Sequence, residues 1–334
     1  MNGKSKQWDA RIAADILARY NVTWHGWETV GPCLKVATPH GHLRLKRFAY
    51  GADEFCFVHD LAKHLQKNGF TNAEEFIMTQ SGQLGVETND GFFYLSRWQE
   101  GEVLSQIDLD TVCLVQVGGL LGEFHVASQG FSPPHGIHSH RNQWKSWPLK
   151  LKTRQRELWY FTNQARKGTT AFDQLYAQGA DRALCDGRRV LAQLDLERRM
   201  YDEIAALDRK ARYICHRDFI PQNLLLTPRQ MLIVIDYDNA AGVERVDDIA
   251  KMLDRFSTLH INRARGLLAG YERKLPLKPE EMWLVVTYLE YPMEYWRLGR
   301  RAYRKGKPDI RGLSRYLETL SVRRLFLDEL KKVR

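Results

Sequence analysis

Tyr213-Ile214-Cys215-His216-Arg217-Asp218-Phe219-Ile220-Pro221-Gln222-Asn223-Leu224-Leu225-Leu226, continued by Leu232-Ile233-Val234-Ile235-Asp236-Tyr237-Asp238, decides how this 334-residue chain is read. An apolar run delivers a carboxylate, Asp218, and five residues later an amide, Asn223, opens the run 224–226. Thr227-Pro228-Arg229-Gln230 is a turn signal, and the second run, 232–235, ends on Asp236. Two such runs around a Pro-containing polar turn predict a hairpin. Asn223 and Asp236 flank the turn symmetrically and should meet at one end of the strand pair. An amide oxygen beside a carboxylate is a hard-oxygen donor set suited to Mg²⁺. Asp218 falls just outside, where it can accept a hydroxyl proton.

Upstream, three segments of strand character, about 22–30, 33–38 and 42–48, are separated by Gly31-Pro32 and Pro39-His40-Gly41. A short antiparallel sheet is expected, preceded by an amphipathic helix over about 8–20. In the third strand Leu43 and Leu45 face one way, Arg44 and Lys46 the other. Apolar residues at helical spacing predict a helix over 53–68, with Glu54 in its first turn and Asn68-Gly69 as its stop. Further strands are predicted at 76–79, 83–88 and 91–98. Beyond Gly101 helical patterning takes over, with a long helix ending near 125–128. Others follow at 149–166, 171–185, 188–208 and from 246, and one over 280–300 that Pro292 should bend. His135, His138 and His140 sit in a loop without acidic or cysteine neighbours, a poor metal set. The expected fold is α+β: a small antiparallel-sheet lobe over 1–98, a larger helical lobe over 99–334, and a ligand cleft between them.

Composition agrees with a globular chain. Apolar residues make up 44% and charged residues 27%, and no apolar run approaches the ~20 residues of a membrane helix. Met1 to Asp15 lacks the apolar core of a secretory signal, so cytoplasmic residence is expected. Five scattered cysteines without a C-x-x-C argue for free thiols rather than a disulfide framework. The net charge of +10 is concentrated at the end: 297–334 holds thirteen Lys/Arg against four Asp/Glu. An apolar stripe there (Leu313, Tyr316, Leu317, Leu320, Leu325, Leu327) reads as a packed helical region with a solvated basic face. Nucleic acid is not an expected partner, because no reader motif accompanies the charge.

The pattern H-x-D-x-x-x-x-N, followed thirteen residues later by a strand-end Asp, is the arrangement of kinase-like phosphotransferases. His216-Arg217-Asp218 to Asn223, Ile235-Asp236-Tyr237-Asp238 and Asp248-Ile249-Ala250 resemble the aminoglycoside phosphotransferase and choline kinase branch of the protein-kinase-like fold. Leu43 to Arg47, His64 to Phe70, Trp98 to Glu102, His125 to Phe131 and Trp144 to Pro148 resemble the CotS-type spore-coat kinase-like family within it. The resemblance implies ATP and Mg²⁺ as cofactors and a small-molecule hydroxyl as acceptor. Asp218 would be the catalytic residue, and Asn223 and Asp236 the metal ligands. Lys46 would bind the nucleotide phosphates with Glu54 as its orienting partner, and His216 and Asp248 would support the catalytic loop. It further implies a spore-forming, Bacillus-like source, deposition in the spore coat from the mother cell, and coat proteins as partners. One departure is that the loop 28–35 carries a single glycine where protein kinases carry three. No A-P-E segment is evident either, which favours a small-molecule acceptor. A kinase-fold protein that works in coat assembly rather than catalysis is the alternative.

Overall fold

The computed structural model describes residues 9–71, 73–108, 113–134, 136 and 140–333. His135 and His138 lie outside them. The chain begins with α1 (Ala10–Leu17), whose N-terminus is capped by the Asp9 carboxylate accepting from the backbone N–H groups of Arg11 and Ile12. The sheet then forms from β1 (Gly26–Val30), β2 (Cys33–Thr38), β3 (Gly41–Phe48), β4 (Phe76–Ile77), β5 (Val86–Thr88) and β6 (Gly91–Arg97), antiparallel throughout. Its order is β1-β2-β3-β6-β4, with β5 also on β6.

Period-2 alternation sorts this sheet into two chemistries. Leu43 and Leu45 of β3, with Leu34, Val36, Phe93 and Leu95, bury themselves under Ile16, Leu17 and Tyr20. The opposite face carries Arg44, Lys46 and Phe48, and in register Lys46 sits across from Tyr94. Phe48 and Tyr94 join Phe55 of α2 (Ala52–Lys67) in a second core continuous with the helical half. Arg44 and Lys46, the two cations on this face of β3, are thus held between that core and the cleft, 9% and 6% exposed.

After β7 (Glu102–Val103) the helical half begins with α3 (Leu114–Ser128), followed by α4 (Trp147–Lys167), α5 (Ala171–Leu196) and α6 (Arg198–Ala211). The hairpin is β8 (Leu224–Leu226) and β9 (Leu232–Val234), in register Leu224 to Val234. β7 adds itself to β8 as a third strand, which the sequence did not announce. α7 (Val246–Phe256), α8 (Ile261–Glu272), α9 (Pro279–Glu290), α10 (Met293–Lys305), α11 (Ile310–Glu318) and α12 (Leu320–Leu330) complete the chain. Among the described residues no helix is long and apolar enough to cross a membrane.

Three helical expectations change. Gly187 does not separate two helices: it lies inside α5, tight against the side chain of Gln155, and the break falls at Glu197 instead. Pro292 ends α9 and caps α10 rather than bending one helix, because a proline cannot donate the hydrogen bond that would continue the ladder. In the terminal stripe Leu325 is 68% exposed, while Phe326 and Leu330 are buried.

α3 and α8 cross at very close range, and glycines allow it. A side chain at Gly118 would collide with the Leu267 carbonyl, and one at Gly270 with the Val115 carbonyl. Gly119 is the contrast, since a methyl there would meet only the Gly270 oxygen at 3.7 Å. Gly270→Ala should therefore lower stability by about 1–3 kcal/mol through overpacking. Gly119→Ala should be neutral or stabilising by up to about 1 kcal/mol through helix propensity. Urea unfolding of both variants checks the pair, and similar midpoints would contradict this account of the crossing.

Candidate active site

The loop before the hairpin is held from beneath by one carboxylate. Asp248, fully buried at the start of α7, accepts from the backbone N–H of His216 at 2.6 Å and of Arg217 at 2.7 Å. His125 of α3 lies 3.3 Å from the same carboxylate and is itself bonded to the Tyr271 hydroxyl at 2.8 Å. Burial opposes the Asp248 charge, but the His125 hydrogen bond and the nearby Lys251 outweigh it and hold the carboxyl below its ordinary range. Arg217 takes a left-handed backbone, φ 65, which turns the chain so that Asp218 follows above the brace.

His216 fixes the next link. Its Nδ1 accepts from the Asp218 N–H at 3.2 Å, so the proton sits on Nε2, which donates to the Ile235 carbonyl at 3.2 Å. Burial lowers its pKa, consistent with this neutral tautomer. The Ile235 N–H donates in turn to the Asn223 carbonyl at 2.9 Å, placing Asn223 and Asp236 at one end of the strand pair. The Asn223 amide nitrogen donates to the Asp218 carbonyl at 2.9 Å and to its carboxylate at 3.0 Å. Both acceptors are oxygens, so the amide orientation is set and its oxygen is the atom left to offer a ligand.

Asp236 also has a left-handed backbone, φ 71. Its carboxylate and that of Asp238 each lie 2.8 Å from the Lys46 ammonium, which reaches across from β3. Burial works against the Lys46 charge, yet the two carboxylates more than offset it and raise its pKa. Burial likewise opposes ionisation of Asp236, but Lys46 dominates and lowers that pKa. Asp238 goes the other way: burial and the neighbouring Asp236 push it up to about 6. One Asp238 oxygen is buried with no hydrogen-bond partner.

Glu54 is not placed beside Lys46. It lies 2.7 Å from Arg141 and 2.7 Å from His140, both beyond α3. Arg141 is 2% exposed, donates also to the Ala240 carbonyl at 2.7 Å, and stacks over Phe57 at 4.7 Å. The helix carboxylate therefore ties α2 to the segment just after Asp236, while the second and third charges of the Lys46 cluster come from 236 and 238. Arg44 is engaged separately, by a buried ion pair with Glu74 and a 3.0 Å bond to the Tyr94 hydroxyl. The alternation of β3 puts Arg44 beside Lys46, but neither Glu74 nor Arg141 carries a local signal. Lys35, in the neighbouring strand, pairs instead with Glu100 at 3.4 Å over the Trp98 ring.

A cavity of about 300 Å³ opens between the lobes. Val30, Pro32, Val103, Leu225, Val234 and Ile235 give it apolar walls, while Lys46, Asn223 and Asp236 stand at its polar end. The turn above it is only two residues long: Val30 pairs with Cys33, and Gly31 supplies the positive φ of 55. At the opposite wall Gly101 runs tight against the hairpin, since a methyl there would come within 2.9 Å of the Leu226 oxygen. An apolar slot with a lysine, an amide oxygen and carboxylates at one end suits a flat ring joined to a metal-bound phosphate chain in donor type.

This architecture, a small antiparallel-sheet lobe packed on a helical lobe, defines the kinase-like two-lobe class. Residues 34–284 match the phosphotransferase enzyme family, and the chain belongs to that family. Solved structures of similar fold include an aminoglycoside phosphotransferase from Alicyclobacillus acidocaldarius, with TM-score 0.83 at 23% identity over 98% of both chains. A spectinomycin phosphotransferase in complex with ADP and spectinomycin follows at TM-score 0.62 and 13% identity, over 98% of this chain and 100% of that one. A microcompartment-associated aminopropanol kinase gives TM-score 0.57 and 14% identity, over 97% and 99%. At these identities the likeness is one of fold.

The Asp238 titration has a defined sign. Its pKa is raised from 3.8 to about 6 on folding, so its contribution to stability is full below 3.8 and is lost as the pH rises through about 6. In nucleotide-free, EDTA-containing buffer, Asp238→Asn should gain stability relative to the parent between those two pH values, by at least on the order of 1 kcal/mol. Chemical denaturation at pH 4, 5, 6 and 7 reads the difference, and parallel curves would contradict the assignment.

Proposed function

We propose that this chain is an ATP- and Mg²⁺-dependent phosphotransferase acting on a hydroxyl of a small molecule, with its lobes meeting near residues 98–99. The observation that carries the reading is the meeting of Lys46 from the sheet with Asp236 and Asn223 from the hairpin, beside Asp218. Asn223, through its amide oxygen, and Asp236 would hold Mg²⁺. The ion supplies neutralisation of phosphate charge when bound.

Asp218 is the catalytic residue. Its carboxylate receives the acceptor proton as the acceptor oxygen bonds to phosphorus, while the bond between that phosphorus and the ADP oxygen breaks. Asn223 holds this carboxylate through its amide N–H, and Asp248 and His216 fix the backbone N–H groups of residues 216 to 218. Lys46 meets the phosphates of the nucleotide, and the apolar slot excludes water around the base.

Asp218→Asn should reduce turnover by at least about 100-fold, the usual scale for a lost general base, with ATP binding kept. ADP release across an acceptor panel measures the first and a MgATP thermal shift the second. Equal loss of both would contradict the role given to Asp218. Lack of any Mg²⁺-dependent shift by ATP in the parent chain would overturn the function.

We further infer, from the likeness of Leu43–Arg47 and Trp144–Pro148 to CotS-type proteins, that the protein passes from the mother-cell cytoplasm to the spore coat and meets coat proteins there. A coat-assembly role without catalysis draws support from the two-residue turn over the cavity, which offers few backbone amides to phosphate. Localisation of a tagged chain in sporulating cells tests the first inference. Coat assembly rescued by Asp218→Asn would favour the second.

A further inference from the structure

A second group of charges borders the catalytic loop and takes no part in the cavity under β3. Arg217 immediately precedes Asp218. Its backbone is pinned by Asp248 on one side and by Lys251, which donates to the Arg217 carbonyl at 3.0 Å, on the other. Its guanidinium is not so committed: the buried Nε has no hydrogen-bond partner. Lys150 and Arg154 stand one turn apart on α4 and so share a face. Lys150 donates to the Gln143 side chain. Arg154 lies over the Trp296 ring at 4.8 Å, and Arg300 of α10 lies over the same ring at 5.5 Å. Among the described residues none of these four cations is in an ion pair.

The first turn of α4 is tied to this loop through Asp247, which accepts from the Trp147 indole at 3.3 Å and pairs with Lys251, the ammonium that holds the Arg217 carbonyl; one turn on, burial, Arg217 and Arg154 push Lys150 down to about 8 against the pull of Asp247 and Glu244. The nearby acids are already engaged. Asp247 pairs with Lys251 at 2.6 Å and Glu294 with Arg297 at 3.0 Å. Glu157 accepts from the Trp296 indole at 2.7 Å. Glu244 accepts from the Lys145 N–H and the Tyr201 hydroxyl. Glu157 and Glu244 thus face uncharged donors, while Lys150, Arg154 and Arg217 stand half-buried with no ion-pair partner among the described residues, which is unfavourable for a cation until an anion meets it.

Resting on the phosphotransferase reading, we propose that the acceptor is an anionic hydroxyl compound. Lys150, Arg154 and Arg217 take its phosphate or carboxylate group while its hydroxyl lies at Asp218. The donor is a nucleoside triphosphate. The acceptor oxygen bonds to the terminal phosphorus, the diphosphate leaves with the electron pair of the broken P–O bond, and the hydroxyl proton goes to Asp218. Amine-bearing acceptors would meet like charge here.

The test is calorimetric titration of the full chain, with a non-hydrolysable ATP analogue and Mg²⁺ present at fixed ionic strength. Glucose 6-phosphate, glucuronate, glucose and glucosamine serve as probes. At least one of the two anionic sugars should bind about tenfold or more tightly than glucose and glucosamine, as charged hydrogen bonds imply, and which one leads distinguishes phosphate from carboxylate. Lys150→Gln and Arg154→Gln should each lower that affinity about tenfold, whereas Arg154→Lys keeps most of it. Probes that bind equally, preference for glucosamine, or anion affinity unchanged in both Gln variants would overturn the proposal. Titration of the parent chain with the analogue alone reads the nucleotide site separately, so failure of one reading is not failure of the other.

Discussion

One ammonium group joins the two halves of this molecule. Lys46 leaves the sheet, is almost wholly buried, and ends 2.8 Å from both Asp236 and Asp238 of the helical lobe. Taking three charges out of water is unfavourable unless each meets its counterpart. The sheet must therefore present Lys46 in one register, and the hairpin must present its strand end in one orientation. The β3–β6 register, with Lys46 across from Tyr94, meets the first demand. The left-handed backbone of Asp236 and the short β8–β9 ladder meet the second.

The other half of the arrangement is a chain of single hydrogen bonds. Asp248 holds two backbone amides, His216 links Asp218 to Ile235, and Asn223 links Ile235 back to Asp218. Each link also fixes a protonation state or an amide orientation. The Asn223 amide oxygen is left uncommitted, and Asn223 lines the cavity. Preorganisation of this kind is what phosphoryl transfer asks of a protein, since positioning and charge neutralisation carry most of its rate.

Much of this was legible in the sequence because it is local. H-x-D-x-x-x-x-N, a proline turn and a strand-end Asp lie within about two dozen residues, and period-2 alternation in 43–48 put Arg44 and Lys46 on one face. What escaped is long-range. Glu54 looked like the partner of Lys46 because a carboxylate in the first turn of the next helix is well placed for it. Arg141, far along the chain, claims it instead. Asp238 fills that role from two residues beyond Asp236, where a turn residue gives no hint of burial. The break expected between 185 and 188 does not form, and the missing side chain of Gly187 inside α5 serves close packing against Gln155. Local pattern cannot tell a glycine that ends a helix from one that lets a neighbour approach.

The most direct test of the central claim is the coupling between Mg²⁺ and nucleotide, measured calorimetrically on the parent chain, Lys46→Met and Asp236→Asn. ATP should bind the parent chain about tenfold or more tightly with Mg²⁺ than in EDTA. Asp236→Asn should erase that difference, and Lys46→Met should weaken binding in both conditions. Equal ATP affinity with and without Mg²⁺ in the parent, or full coupling retained in Asp236→Asn, would contradict the account.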